Sequence, residues 1–386
     1  VRALRDVLLQ GLDQPGSLID VRAPTEYRKG AMPGSLNLPI LTDRERHEVG
    51  LRYRQAGQDA AIALGERLTA GPRREARVDG WQRQLAACPE AALYCWRGGL
   101  RSQRAAQWLA DRGLSLRPVP GGYQALRRAA LDILQTYLAG VAPAVLAGRT
   151  GVGKTVVLNQ TPLSIDLEGL ASHRGSAFGA RAAPQPAPAS FENALAAQCL
   201  AHARRVAPEA GGRDTPEAGG RKTPEAGGRA LLLLEDESRT IGRVALPELW
   251  YECMQQAPVV VLTATLEERV NHIVREYVEE PFATGTRVDE LRKRYLDAIG
   301  RIRKRLGGQR SAQLQQAIRV GFERNEHHGW IEQLLTGYYD PMYDYQLTRK
   351  ETRVCFAGTA GEIAQWLESA SLDLRLLQLR DGIDRK

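Results

Sequence analysis

With 386 residues, 43% of them hydrophobic and 25% charged, the chain can build two or three domains and has the composition of a globular protein. That excludes a largely disordered chain, a collagen-like chain and a small disulfide scaffold, and no apolar run approaches the ~18 residues of a membrane span. The net charge of +8 points to a polyanionic partner, although an Arg-rich composition can also reflect codon usage.

The first block, residues 1–141, alternates strand and helix patterns. Short apolar runs at 18–21 and 91–94 read as buried strands, and helical spacing marks 103–109 and 123–138. The alternation predicts an α/β domain with a parallel sheet. Val141-Ala142-Pro143 reads as a hinge into a second block, 142–265, with strands expected at 144–147, 163–166, 231–234 and 259–263. Two segments of this block are expected to be mobile insertions. One is the proline-rich stretch 181–189, and the other is 207–229, where Pro-Glu-Ala-Gly-Gly-Arg recurs from Pro208, Pro216 and Pro224. A third block, 266–386, reads as mainly helical and basic, packed on the second. The five cysteines, Cys88, Cys95, Cys199, Cys253 and Cys355, include no C-x-x-C pair. They read as reduced thiols of a cytoplasmic protein, with no structural metal, zinc or haem.

The first chemical signal is Cys95-Trp96-Arg97-Gly98-Gly99-Leu100-Arg101-Ser102, between a predicted strand and a predicted helix. Converging backbone N–H groups in such a loop stabilise anions, the thiolate included. Arg97 and Arg101 add positive charge for an oxyanion. Cys95, Arg97 and Arg101 are therefore the catalytic candidates, against the reading of an inert buried cysteine.

The second signal is Gly148-Arg149-Thr150-Gly151-Val152-Gly153-Lys154-Thr155, a complete G-x4-G-K-T after a predicted strand. Gly148, Thr150, Gly151, Val152, Gly153, Lys154 and Thr155 are assigned to a diphosphate. Mg²⁺ could be held by Thr155 and by Glu235 and Asp236, which close the strand at 231–234; the alternative is a solvated acidic turn. Asp166, Glu168, His173 and Arg174 follow another strand end and are candidates for substrate contact, or ordinary turn residues. Between Leu291 and Arg324, ten Lys/Arg face two acidic residues. Arg292, Lys293, Arg294, Arg301, Arg303, Lys304 and Arg305 are the candidates for an RNA backbone, against a solvated helix face.

Several passages resemble known families. Leu18-Ile19-Asp20-Val21-Arg22, Glu26-Tyr27, the run from Gly30 to Pro39, and Pro120-Gly121-Gly122-Tyr123 resemble rhodanese domains. The Cys95-to-Arg101 spacing also describes cysteine-dependent phosphatases, whose usual histidine before the cysteine is Tyr94 here. The order of the two loops, with Leu41-Thr42-Asp43-Arg44-Glu45-Arg46, Val49-Gly50, Gln55-Ala56-Gly57-Gln58 and Asp166-Leu167-Glu168-Gly169-Leu170, is similar to bacterial tRNA 2-selenouridine synthases. The similarity covers nearly the whole chain apart from the proline-rich stretch and the repeats. It implies an N-terminal rhodanese-like parallel-sheet domain, a central P-loop α/β domain and a C-terminal helical basic region.

The implied reaction is a transfer to tRNA: wobble 2-thiouridine becomes 2-selenouridine with selenophosphate, through an S-geranyl intermediate made from geranyl diphosphate. Trp96, Gly98, Gly99, Leu100 and Ser102 would then bind selenophosphate, with a selenophosphate-supplying enzyme as a further partner and no membrane involved. Two other readings stay open on the residues alone. One is a phosphatase or sulfurtransferase fused to a nucleotide-binding P-loop domain, and the other is a non-catalytic RNA-binding switch driven by ATP or GTP.

Overall fold

The computed structural model describes residues 2–181, 183–207 and 229–372, which form two compact units: Val1–Tyr137 with Pro186–Arg204, and Leu138–Gln185 with Arg205–Lys386. In the first unit, β1 (Leu18–Asp20), β2 (Ser35–Asn37), β3 (Ala92–Tyr94) and β4 (Arg117–Pro118) form a parallel sheet in the order β2-β1-β3-β4. The strands are short and β1 and β3 are fully buried, as expected of a parallel sheet covered on both faces. On one face Ile19, Val21 and Leu93 pack with Val78, Trp81 and Leu85 of the helix Pro72–Ala87 and with Trp108 and Leu109 of the helix Leu100–Ala110. The helix Arg2–Asp13 packs on the helix Gly122–Thr136. The chain runs from β1 outward to β2, then returns to β3 and continues to β4. The strand ends of β1 and β3 therefore flank a point where the connections diverge, the place where open α/β sheets bind ligands.

The second unit repeats this logic on a larger sheet. Here β5 (Val141–Ala147), β6 (Ser164–Ile165), β7 (Ala230–Glu235), β10 (Val259–Leu262) and β11 (Val354–Gly358) are all parallel, in the order β11-β10-β5-β7-β6, while β8 (Thr240–Ile241) and β9 (Val244–Ala245) make a small antiparallel hairpin. Connections diverge between β5 and β10, and the glycine-rich loop leaves the end of β5. A second core is helical. Leu291, Tyr295, Ala298, Ile299, Ile302 and Leu306, one face of the helix Val288–Leu306, are buried with Phe322, Trp330 and Tyr339.

The α/β class and parallel sheets stand as expected, but the boundaries differ in four places. Val141-Ala142-Pro143 is no hinge: it is the start of β5, paired with Ala230–Leu232 of β7. Pro143 is tolerated because pairing toward β10 begins only at Val145, so its missing N–H breaks no ladder bond. The proline-rich stretch 181–189 is not a free insertion. Gln185 is held by Ala171 O, Ile241 O and the Arg243 N–H, and Pro188 opens the helix Pro188–Val206. Most of that helix belongs to the first unit: Asn193 Nδ2 donates to Ala31 O at 2.9 Å, the Ala31 N–H donates to Ser190 Oγ at 2.9 Å, and Arg127 pairs with Glu192. The last block is not helical throughout, since β11 edges the second sheet and the helix Ala360–Leu372 packs on it. The repeats at Pro208, Pro216 and Pro224 lie outside the described residues.

Candidate active sites in the two units

In the first unit, Cys95 follows β3 and is buried, 3% exposed. Its loop is shaped by an interlocking second turn. Gly98 and Gly122 have positive φ, and a Cβ on Gly122 would sit 2.4 Å from Cys95 O and 2.5 Å from Gly98 N. Only glycine permits that approach. The Tyr123 and Gln124 N–H groups donate to the carbonyls of Cys95 and Trp96, which ties the Pro120-Gly121-Gly122-Tyr123 turn to the cysteine loop. Burial raises the Cys95 pKa, but the Ser102 hydroxyl, the Arg97 and Ser102 amides and the Arg101 charge together outweigh it and hold the thiol below its ordinary value. Ser102 Oγ is buried and has no conventional partner at rest, so its proton is available to the sulfur.

Both arginines of the loop are engaged by other side chains of the first unit. Arg101 binds Glu26 through both nitrogens, at 2.6 and 3.3 Å, and Arg97 Nε donates to Gln124 Oε1 at 3.1 Å. Glu26 also accepts from the Ala23 N–H and pairs with Arg46 at 3.2 Å. Arg101 thus supports the thiolate by its field while its guanidinium is engaged. The cation buried under the loop is one that sequence reasoning missed. Arg22, wholly buried, pairs with Asp20 at 2.6 Å, donates to Gly30 O at 2.6 Å and lies 3.9 Å from the Tyr123 ring centroid. Removing either member of such a pair strands a buried charge, at a cost of about 3–5 kcal/mol. Trp96 stacks on Tyr123 at 5.3 Å, and beside them opens a cavity of about 1060 Å³.

In the second unit, Gly148, Thr150, Gly151, Gly153, Lys154 and Thr155 line one cavity of about 470 Å³. Gly151 needs its positive φ, and a Cβ there would meet Arg269 O at 2.9 Å. Arg269 is buried; it donates to Thr150 O at 2.9 Å and pairs with Asp340 at 2.5 Å, fixing the loop from outside. Val152 is not among the residues lining this cavity: its side chain packs with the core around Val157, Leu158 and Leu262, and its amide donates to Arg149 O. Lys154 Nζ donates to Gly148 O at 3.1 Å, curled over the loop it serves.

Thr155 Oγ1 lies 3.4 Å from Glu235 Oε1, and the other Glu235 oxygen accepts the Glu168 N–H. Asp236 also lines the cavity, with its carboxylate paired with Lys350 at 2.5 Å. Glu237, which the sequence did not single out, lines it too, its carboxylate beside Glu168 above Gly175. Among the described residues, no three acidic, His or Cys side chains converge to hold a metal by themselves. Mg²⁺ would be held by Thr155 and Glu235 only with phosphate oxygens completing its shell. Burial, then mutual repulsion, pushes Glu168 and Glu235 up to about 8 and Glu237 to about 7, with Lys154 opposing.

Folded pKa values above the unfolded ones mean that this cluster stabilises the fold most in acid and loses that contribution as pH rises toward about 8. Melting curves without ligand should fall between pH 5 and 8, Mg²⁺ with pyrophosphate should raise Tm more at pH 8 than at pH 6, and Glu235→Gln should flatten both trends. An unaltered pH slope in that variant would contradict the assignment.

The same cavity has an aromatic side. Arg275–Glu279 and Leu335–Tyr339 are π-helical turns directly preceding Pro281 and Pro341, whose missing N–H groups cannot continue an α-helical ladder. They bring Tyr277, Tyr338 and Tyr339 to the cavity wall. Glu168 and Arg174 also line it, Arg174 paired with Glu276 and Glu280 and stacked over Tyr277 at 4.7 Å. Asp166 does not: it caps the helix Leu167–Ala171 by accepting the Gly169 N–H at 2.6 Å. His173 does not line the cavity either; it bridges to Ala180, and burial lowers its pKa.

Residues 141–210 and 221–373 match the tRNA 2-selenouridine synthase AAA domain, and residues 4–129 match the rhodanese-like domain. The tRNA 2-selenouridine synthase of Marinobacter nauticus is 43% identical over 91% of this chain and 94% of its own. Those of Hahella chejuensis and Shewanella oneidensis are 42% and 40% identical, over 92% and 96% of this chain and 91% and 95% of theirs. The chain belongs to the tRNA 2-selenouridine synthase family.

The basic helix Val288–Leu306 of this family member is not one uniform surface. Arg292 pairs with Asp289 and Arg294 with Glu290 on their own helix. Arg301 donates to Ala177 O, whose residue lines the cavity of the glycine-rich loop, and Arg305 lines that cavity itself. Lys293, Arg303 and Lys304 are exposed. No described helix is long and apolar enough to cross a membrane.

Proposed function

We propose that the protein converts 2-thiouridine at the tRNA wobble position to 2-selenouridine in two steps, one per unit. In the first, the nucleobase sulfur attacks C1 of geranyl diphosphate. The C–O bond breaks, pyrophosphate leaves with the electron pair, and the N3 proton is lost. Lys154 and the amides of the phosphate loop bind the diphosphate and stabilise its departure; Mg²⁺ on Thr155 and Glu235 would add charge to the same oxygens. Tyr277, Tyr338 and Tyr339 offer aromatic faces to an allylic chain that gains positive character as the bond breaks.

In the second step, selenium from selenophosphate adds at C2 and geranyl thiol leaves. The Cys95 loop supplies amides and a thiolate-favouring field for the selenium donor. The observation that carries this reading is the presence in one chain of two separate anion loops, one with a thiol and one with a lysine beside an aromatic wall. Engagement of Arg101 by Glu26 disfavours the phosphatase alternative, which requires that fork free for phosphate. The test is mass analysis of 2-thiouridine tRNA incubated with the protein and both donors, each omitted in turn. Omitting selenophosphate should leave S-geranyl-2-thiouridine, and omitting geranyl diphosphate should leave 2-thiouridine. Release of phosphate from an aryl phosphate without either product would favour the phosphatase.

The tRNA would meet the exposed part of the basic helix, in the cytoplasm where tRNA is modified. Replacing Lys293, Arg303 and Lys304 by Ala should weaken all tRNAs alike. The slope of log affinity against log salt should flatten by roughly 0.7–0.9 per lost phosphate contact. Binding titrations at several salt concentrations check this, and an unchanged slope would mean that these charges are only solvated. Arg305→Ala should instead impair prenyl transfer at saturating tRNA, because it lines the donor cavity.

A further inference from the structure

The cavity beside the cysteine loop of the first unit has no task in the chemistry of a thiol and a small anion. At about 1060 Å³ it is at the upper end for a ligand pocket (roughly 300–1,000 Å³), far more than a sulfur atom or selenophosphate requires. One part of its wall is apolar, formed by Ile40, Leu41, Val49, Ile62 and Trp108, beside a charged rim that includes Arg46, Glu66 and Arg104, and it is continuous with the cysteine loop through Trp96, Leu100 and Arg101. Trp96 and Leu100 stand 37% and 45% exposed, large apolar side chains left in water at the start of a catalytic helix. Arg54 also lines the cavity and has no acidic partner among the described residues, so the wall carries a cation suited to a nearby phosphate.

We propose that this cavity receives the ten-carbon chain carried on the uridine sulfur during selenium transfer, and then holds the departing geranyl thiol. The inference rests on the two-step reading above. In the second step a C–Se bond forms at C2, the C–S bond breaks and the thiolate leaves with the bonding pair. The hydroxyl of a water displaces selenium from phosphorus, breaking the Se–P bond to give phosphate; the other proton of that water goes to the thiolate, and N3 takes the proton brought by the selenium. A chain that must lie beside the cysteine loop when that bond breaks would expose its whole apolar surface unless the first unit shelters it. Burial at about 0.8 kcal/mol per CH₂ makes sheltering it worthwhile.

The experiment compares anticodon stem-loops bearing S-methyl- or S-geranyl-2-thiouridine as substrates of the full chain with selenophosphate. The wild type should prefer S-geranyl by about 100-fold in kcat/KM, less than full burial of nine more carbons would give because the chain must be ordered. Ile62→Trp, which fills the cavity, should cut that preference below about tenfold. Geranylation of 2-thiouridine by the same variant would report that it is folded and still binds RNA.

Equal use of both substrates by the wild type, or an unaltered preference in Ile62→Trp, would overturn the cavity assignment and leave the two-step reading intact. A wild type inert on S-geranyl RNA would overturn that reading and the occupant with it. A wild-type measurement covers the case of a misfolded variant: a diazirine on the geranyl chain should cross-link to peptides within residues 40–62 or 96–108. Adducts confined to the second unit would refute the proposal.

Discussion

Lys154→Ala should suppress geranyl transfer by roughly 10²–10³-fold, the usual loss when a preorganised charge is removed from a leaving oxyanion. Lys154 is half-sheltered, bonded to Gly148 O at 3.1 Å and near three carboxylates whose protons it helps to displace. Its removal leaves the acidic side of the cavity less compensated and, if a diphosphate binds there as proposed, deletes the cation that faces it. On the two-step reading, 2-thiouridine tRNA would then go unconverted, whereas tRNA geranylated beforehand should be selenated at the wild-type rate. Mass analysis of both substrates decides it. Failure of the geranylated tRNA to react, with tRNA affinity unchanged, would mean that the phosphate loop also serves the selenium step.

Cys95→Ala should produce the reverse pattern, with selenation reduced by roughly 10³-fold or more and geranylation preserved. The sulfur is buried beneath its loop, where amides of Arg97 and Ser102 and the Ser102 hydroxyl favour its charged form. Alanine keeps the fold of the loop, because Gly98, Gly121 and Gly122 shape it through backbone contacts that the side chain does not make. The variant should accumulate S-geranyl-2-thiouridine when both donors are supplied. Loss of both reactions in a folded variant would end the assignment of one step to each unit.

Both loops were legible in the sequence because each is a local device: a run of eight residues between a strand and a helix, with glycines where the backbone must turn. Their surroundings depend on partners far along the chain. Nothing near Arg101 announces that Glu26 will hold it, and Arg22 becomes a buried cation only when Tyr94, Trp96 and Tyr123 close over it. Asp236 and Glu237 are adjacent in sequence and both line the cavity, yet Lys350, more than a hundred residues on, pairs with the first alone. The tyrosines at 277, 338 and 339 were hidden in helical periodicity, and the doublets Glu280-Pro281 and Asp340-Pro341 are the signal that could have marked the widened turns before them. Pro143 misled in the other direction, since a proline at a strand start imitates a linker.

The return of residues 186–204 to the first unit bears on how the protein is made. A ribosome that has released the first 137 residues has not yet released the segment that covers Ala31 and pairs with Arg127. The nascent first unit must wait, incomplete, while the phosphate loop and the strand before it emerge. Folding during synthesis is then not a simple N-to-C sequence of finished domains. Slow translation of residues 138–185 would prolong an exposed intermediate, and cutting the gene at the apparent boundary would yield a fragment lacking part of its own wall.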